Sequence, residues 1–279
     1  MGEHRRRRLQ PLRPSYQFQV NNLFSPPSVR IDVGAAIDRG GGEQRALQTT
    51  RPRRYSRPVL TTDLVRLYPF LFHTAADGSW PSIREHGLLS TAAMLELWAV
   101  EEAQRRELLT TVRSRSVVIE HPRLGSAVVR DQGPIHAPSL EECLTNLSVE
   151  QWLQKLNERV FFFLQRGQVD GLVGARRYRD TPSLVLVIDT AGLVAAHEER
   201  IELCRINSFY AQRHSKSPQG SDSFVRVADY PHPRRDVPVR ADRPDIKELT
   251  VIGGVPDIAR LVRSVQRIVG GDVVEHLAL

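Results

Sequence analysis

The spacing of apolar residues divides the chain into an irregular start and a patterned remainder. Residues 1–60 contain arginine runs, a glycine triplet and scattered prolines with little periodicity, which is typical of a disordered segment. From residue 61 onward, helical and strand patterns follow one another. The sequence therefore predicts a disordered, Arg-rich leader over 1–60 and a single folded domain over 61–279.

Helical patterns are concentrated in the first half of that domain. One helix is predicted over 90–109, where apolar residues recur at helical spacing. Two capping-box patterns, Ser139 with Glu142 and Ser148 with Gln151, predict two shorter helices.

Strand patterns dominate the second half. Runs of β-branched and aromatic residues flanked by turn residues predict strands in RVFFFLQ, SLVLVIDT, RIELCRI, SFVRVADY and IKELTVIGG, after an earlier pair in SVVIEH and SAVVRDQGPI. Residues 255–269 have the spacing of a closing amphipathic helix. Because helices come first and strands later, without alternating strand–helix units, we expect an α+β fold with mainly antiparallel sheet.

The basic charge belongs to the start of the chain. Residues 1–58 hold twelve arginines, no lysine and four acidic residues, a net charge of +8, whereas the remainder carries −1. Three interpretations stay open. The segment binds nucleic acid or another anionic surface by counterion release, it is a disordered leader without a specific partner, or the true start codon lies downstream.

Several classes of protein are disfavoured. No apolar run of about 18 residues is present, and the start lacks the apolar stretch of a secretory signal, so we expect a cytoplasmic protein without a membrane partner. The two cysteines are far apart and no cluster has metal-ligand spacing, so no metal site is expected. GxGxxG, Walker A and GxSxG patterns are absent, which disfavours Rossmann, P-loop and serine-hydrolase sites.

Three polar residues stand at the ends of apolar strands or within them. His73 ends LFH, Arg130 ends AVVR, and Glu248 lies in DIKELTVIGG. Each has an ordinary structural explanation: a buried core histidine, an arginine in a weak surface ion pair, and an exposed carboxylate on a mixed face. The pattern alone leaves the structural and the functional interpretation open.

The order of these segments resembles that of DarT-type ADP-ribosyltransferases. LFHTAADGSWPSIREHGLLS, residues 71–90, is similar to that family's opening motif of a strand ending in His, a short helix with a pattern like N-L-P-S-I, and G-L. VVRDQGPI resembles the segment that carries the family's arginine, RVFFFL its aromatic strand, and IKELTVIGGVPDI its final acidic block. The same blocks are similar to those of an uncharacterised bacterial family with SWPSI, HGLLS and ELxVxGGVPDI.

The resemblance implies split antiparallel sheets with peripheral helices, and NAD+ bound as a substrate in the cleft between the sheets. It implies that Glu248 is the catalytic acidic residue, that Arg130 contacts the NAD+ phosphates and the acceptor, and that His73 hydrogen-bonds the nicotinamide ribose. Phe161 or Phe163 would flank the nicotinamide ring.

Two more positions of the opening motif are implied as NAD+ contacts. Ala75 stands where the family pattern has Thr two residues after its His, and Thr74 is adjacent to it. Ser79 stands where that pattern has Asn. We therefore expect Thr74 and Ser79 to take these roles.

The implied activity is transfer of ADP-ribose from NAD+ to a macromolecule, with DNA and RNA among the candidate acceptors. A toxin or defence role, with an unknown antitoxin or regulator, follows from the resemblance alone. The residue types suit the chemistry, because a carboxylate stabilises an oxocarbenium-like ribose and a guanidinium donates twice to a diphosphate. Two alternatives are an NAD+ glycohydrolase of the same fold and a catalytically silent module that binds nucleic acid or protein.

Overall fold

An eight-stranded sheet forms the centre of the part of the chain that a computed structural model describes, residues 55–133, 135–209, 217–233 and 245–279. Every neighbouring pair of strands in it is antiparallel, which confirms the α+β class with antiparallel sheet. In spatial order the strands are β14 (Asp272–Leu277), β13 (Val262–Val269), β7 (Ser183–Asp189), β2 (Phe70–Ala76), β6 (Arg159–Phe163), β11 (Glu248–Ile252), β8 (Ile201–Cys204) and β9 (Phe224–Arg226).

Two-stranded sheets and short helices surround this sheet. The strand pairs are β1 (Tyr55–Pro58) with β10 (Pro231–Pro233), β3 (Leu88–Leu89) with β12 (Gly254–Val255), and β4 (Val117–His121) with β5 (Gly125–Val129). The helices are α1 (Thr61–Leu67), α2 (Trp80–His86), α3 (Thr91–Leu97), α4 (Glu102–Thr110), α5 (Ala137–Cys143), α6 (Val149–Asn157), α7 (Arg166–Val173), α8 (Thr190–His197) and α9 (Ile258–Leu261). Within the described ranges, no helix has the length and apolar character needed to cross a lipid bilayer.

Both faces of the sheet are covered, as β6 illustrates. Val160 and Phe162 are buried in the largest hydrophobic cluster, together with Leu71 and Leu249 from the flanking strands. Phe161 and Phe163 pack against two other clusters. Because successive side chains of a strand point to opposite faces, β6 is an interior strand with apolar neighbours on each side.

The sheet has a narrow junction between β2 and β6. β2 pairs with β7 along all seven residues from Phe70 to Ala76, and β6 pairs with β11 along all five of its residues. Between β2 and β6, however, only Phe72 and Phe163 are paired. The resemblance implied two separate sheets. The structure has two four-stranded halves joined by a single residue pair.

Two helix predictions need correction. The helix predicted over 90–109 is interrupted at Ala99, which has a φ of +50°, and α3 and α4 lie on either side of the break. The Ser148 capping box is confirmed, since its hydroxyl accepts from Gln151 N at 3.2 Å and its amide donates to the Gln151 side chain at 2.9 Å. The Ser139 box is wrong, because α5 begins at Ala137, two residues before Ser139. Its N-cap residue is His136, and Ser139 lies inside the helix.

The closing helix predicted over 255–269 is largely wrong. Only Ile258–Leu261 is helical, and the following residues form β13 between β7 and β14. Val262, Val265 and Ile268 are buried, a spacing that also fits a helix. In β13, the pairing with β7 shifts register between Val262 and Ser264, and the pairing with β14 shifts between Arg267 and Ile268. These irregularities give a strand the same spacing of buried residues.

The predicted leader ends later than the structure allows. Strand β1 and Leu60, the N-cap residue of α1, lie inside the range 1–60. Residues 1–54 lie outside the described residues.

Candidate active site

His73 lies at the junction, directly after the Phe72–Phe163 pair. Its Nδ1 atom is 2.8 Å from the carbonyl oxygen of Phe161, and its ring centroid is 5.8 Å from that of Phe162. The imidazole therefore joins β2 to β6 where their backbone ladder stops.

The His73 ring is neutral at pH 7. Burial lowers its pKa to about 4, and the positive charge of Arg130 acts in the same direction against the opposing Phe161 hydrogen bond. Because a carbonyl only accepts hydrogen bonds, the hydrogen of the neutral ring resides on Nδ1. Nε2 is then a hydrogen-bond acceptor, which suits a hydroxyl group such as that of a ribose.

Arg130 follows directly after β5, and its side chain is half-buried. Its Cζ atom lies 5.9 Å from the centre of the Tyr178 ring. Burial lowers the pKa of the guanidinium, while the nearby Asp131 charge opposes this. Among the described residues, the Arg130 guanidinium makes no hydrogen bond or ion pair. A partly desolvated cation without a carboxylate partner favours binding of an anion.

Glu248 is the first residue of β11 and is only 4% exposed. Its Oε2 atom accepts two hydrogen bonds from Ser208, from the amide at 3.2 Å and from the hydroxyl at 2.7 Å. Burial raises the pKa of Glu248 to about 7, against the opposing effect of both Ser208 bonds. A carboxyl group with such a pKa exchanges a proton readily near neutral pH, as general acid–base catalysis requires.

The strand register relates these groups to one another. Phe163 is the partner of Phe72 on one side and of Glu248 on the other, so Phe72 and Glu248 are two strand spacings apart, about 10 Å. Alternation places the three of them on one face of the sheet, whereas His73 belongs to the other side of β2. The structure thus brings the His73 ring to the Phe161 carbonyl and within electrostatic range of Arg130. Within the described residues, Glu248 makes no direct contact with His73 or Arg130.

The aromatic candidates have different surroundings. Phe161 is half-buried, and its ring packs edge-to-face against Phe209 at 4.8 Å between centroids. Phe163 is also half-buried but packs against the cluster under α7. The Phe161 carbonyl binds His73, but alternation places the Phe161 ring on the Glu248 face of the sheet, so it is a candidate wall for a ligand on that face.

The two other candidates of the opening motif are Ser79, which has a structural role, and Thr74, for which no role is evident. The Ser79 hydroxyl donates to Ala76 O at 2.7 Å and closes the turn before α2. Thr74 is half-buried in β2, where it is paired with Val185. Neither side chain is bonded to His73 or Glu248 in the described structure.

Residues around the site that sequence reasoning missed are Ser208, Phe209, Tyr178 and Arg113. Each comes from a loop or turn remote in sequence from its partner, so no periodic pattern marks it. The Arg113 guanidinium is buried, and it donates to the Arg130 carbonyl at 3.1 Å and to Asn157 Oδ1 at 3.0 Å. It thereby fixes the backbone from which Arg130 projects.

A protein-family model matches residues 69–262, from just before β2 to the first residue of β13. The chain belongs to the DUF7002 family. This is a family of unknown function, and its match includes His73, Arg130 and Glu248. The comparison with curated proteins gives no match. DUF7002 membership therefore groups these residues in one family domain without supplying an activity.

Proposed function

We propose that the protein is an NAD+-dependent ADP-ribosyltransferase whose nucleotide cleft is the junction between β2 and β6. The observation that carries the proposal is the single Phe72–Phe163 pair, beside which the imidazole of His73 takes the place of backbone pairing. An ADP-ribosyltransferase-like fold with split sheets requires such a separation, and the chain's resemblance to DarT-type enzymes implies split sheets with NAD+ between them.

The groups around the junction suit the three parts of NAD+. His73 Nε2 accepts a hydrogen bond from a hydroxyl of the nicotinamide ribose, Arg130 binds the diphosphate, and Phe161 flanks the nicotinamide ring. Burial of the junction strengthens each of these polar interactions. The Phe161 carbonyl contacts His73, and the Arg130 charge acts on it.

Glu248 carries the chemical step in this proposal. The bond between the ribose C1′ and the nicotinamide nitrogen breaks, and nicotinamide leaves with the electron pair. The ionised carboxylate stabilises the resulting oxocarbenium-like ribose and takes the proton of the acceptor as its nucleophilic atom bonds to C1′. Because Glu248 and His73 lie on opposite faces of the sheet, the ligand must extend through the junction to the space beside β6 for Glu248 to reach this ribose.

The test uses the purified full chain, NAD+ labelled in the adenylate group, and DNA, RNA or cell lysate as acceptor. We expect nicotinamide release and transfer of label to a macromolecule. Glu248→Gln removes both, while Glu275→Gln, which changes an exposed carboxylate on β14, retains them. Free ADP-ribose without labelled macromolecule would identify a glycohydrolase instead. Absence of nicotinamide release from the folded wild-type protein would falsify the proposal.

A further inference from the structure

We propose that Asp131 and Tyr178 are positioning residues that keep the Arg130 guanidinium unpaired and oriented, ready for the diphosphate of a dinucleotide. The inference deepens the proposed function and rests on it. Its starting point is a contrast between two adjacent residues. Arg130 has no ion pair among the described residues, whereas the carboxylate of Asp131 is hydrogen-bonded and ion-paired to other groups.

The Asp131 carboxylate is bonded by donors from three segments of the chain. It accepts hydrogen bonds from Tyr178 Oη at 2.9 Å, Gly133 N at 3.1 Å, Arg177 Nε at 3.2 Å and Ser116 Oγ at 3.4 Å. Three of these bonds converge on Oδ2, whereas among the described residues Oδ1 accepts only the long bond from Ser116. Asp131 thus directs its hydrogen bonds to other donors, and its charge acts on Arg130 without a direct hydrogen bond.

Tyr178 restrains Arg130 without neutralising it. The Cζ atom of Arg130 lies 5.9 Å from the centre of the Tyr178 ring, a distance at which a guanidinium is attracted to an aromatic ring. The hydroxyl of the same ring is bound to Asp131. The ring is held at its far end, so it offers a fixed aromatic face to Arg130 as well as to Arg177, whose Cζ atom is 5.7 Å from the ring centre.

The local charge suits a diphosphate. Arg113, Arg130 and Arg177 are cationic at pH 7, although burial lowers the pKa of Arg113 to about 10, and Asp131 supplies one negative charge. These four groups leave two positive charges. A diphosphate linkage carries two negative charges, so its binding neutralises the cluster.

The position of the cluster suits a dinucleotide. Arg130 is the charge that acts on His73, the residue assigned to the nicotinamide ribose above. In NAD+ the diphosphate is attached directly to that ribose. A ribose hydroxyl at His73 and a diphosphate at Arg130 are therefore neighbouring groups of one ligand.

The experiment measures binding by calorimetry to the full chain and to variants with unchanged thermal unfolding. The probes are ADP-ribose, inorganic pyrophosphate and nicotinamide riboside, which lacks phosphate. In Tyr178→Leu we expect the affinity for ADP-ribose and pyrophosphate to fall about tenfold. Tyr178→Phe keeps the ring but loses the Asp131 bond, so a smaller loss is expected. The affinity for nicotinamide riboside stays the same in both.

Tyr230→Phe is the matched control, because it removes a tyrosine hydroxyl bonded to Asp245 O at 2.5 Å, near another arginine, Arg205. It should leave binding of all three probes unchanged. Unchanged ADP-ribose affinity in folded Tyr178→Leu overturns the inference, and so does equal weakening of nicotinamide riboside. Tyr178-dependent binding of ADP-ribose without nicotinamide release from NAD+ would instead uphold this site and reject the proposed function.

Discussion

Ser208 donates two hydrogen bonds to one oxygen atom of Glu248, from its amide at 3.2 Å and its hydroxyl at 2.7 Å. Both residues are buried, and Oε1 of the carboxylate has no hydrogen-bond partner among the described residues. Ser208 thus distinguishes the two oxygens: Oε2 is held by the protein, and Oε1 is left for a proton or a substrate.

Under the proposed function, the pH profile of NAD+ consumption tests this arrangement. Both Ser208 bonds lower the pKa of Glu248, against the larger effect of burial. Ser208→Ala removes the hydroxyl bond, so the pKa should rise by about one unit. We expect the acidic limb of the profile to move to higher pH by this amount, while Ser208→Thr, which retains a hydroxyl, leaves it in place. An acidic shift would contradict the role assigned to Ser208.

Glu248→Gln should stabilise the fold at alkaline pH. The pKa of Glu248 is about 7 in the folded protein, above the ordinary value of a glutamate, so the unfolded chain loses its proton first. Stability is therefore lost as pH rises from about 4.5 to 7 and stays low above 7. The shift corresponds to about 3 kcal/mol at most.

Urea unfolding of wild type and Glu248→Gln at pH 4 and pH 8 measures this difference, since other titrating groups cancel. The variant should gain stability relative to wild type between the two pH values. If the stability difference between the variant and the wild type were the same at both pH values, or smaller at pH 8, burial would not raise the pKa of this carboxylate.

His73 should make the fold sensitive to acid. The pKa of His73 is lowered to about 4 in the folded protein, so below about pH 6.5 the unfolded chain binds a proton that the folded chain does not. Stability is lost as pH falls from about 6.5 to 4. His73→Gln retains an amide donor for Phe161 O but does not titrate.

The free energy of unfolding of His73→Gln relative to wild type should therefore rise by about 2 kcal/mol between pH 7 and pH 5. Chemical unfolding at several pH values measures it. His121→Gln, on the β4–β5 hairpin, corrects for the loss of an imidazole as such. A flat difference for His73→Gln would mean that this ring is exposed to solvent at the junction.

Gly254 should be intolerant of a side chain. It has a φ of +137°, and a Cβ atom there would lie 2.7 Å from Leu88 O and 3.0 Å from Leu89 Cα, inside the β3–β12 pair. Gly78 also has a positive φ, +75°, but a Cβ atom there meets nothing within 4 Å.

Gly78→Ala is thus a matched control that measures the backbone cost alone, about 1 kcal/mol. Gly254→Ala should destabilise by at least about 2 kcal/mol more, as seen in thermal or urea unfolding. Equal effects of the two substitutions would indicate that β3 and β12 separate without cost.

The sequence predicted helices and strands correctly where a single residue type determines the local backbone conformation. Ser90 caps α3 by accepting from Ala93 N at 3.2 Å, and RVFFF forms β6. Both depend on residues within a few positions of each other. The break at Ala99 was missed because a positive φ at an alanine has no local cause in the sequence.

The candidate site could be predicted only in part. His73, Arg130 and Glu248 were singled out from strand ends and from family resemblance, while their environments stayed open. The neutral His73 ring and the raised pKa of Glu248 both result from burial and from partners, Phe161 and Ser208, that are 88 and 40 residues away. No spacing in the chain encodes such contacts.

By itself, the sequence determined the antiparallel α+β class, most strands of the central sheet and two helix starts, because these follow from side-chain shape and hydrogen bonds between near neighbours. Only the tertiary structure decided that 262–269 is a strand, since the edge of β7 and the strand β14 satisfy its backbone from both sides. The tertiary structure also decided that β2 and β6 meet at one residue pair. That junction depends on where distant strands end relative to one another, which long-range packing determines.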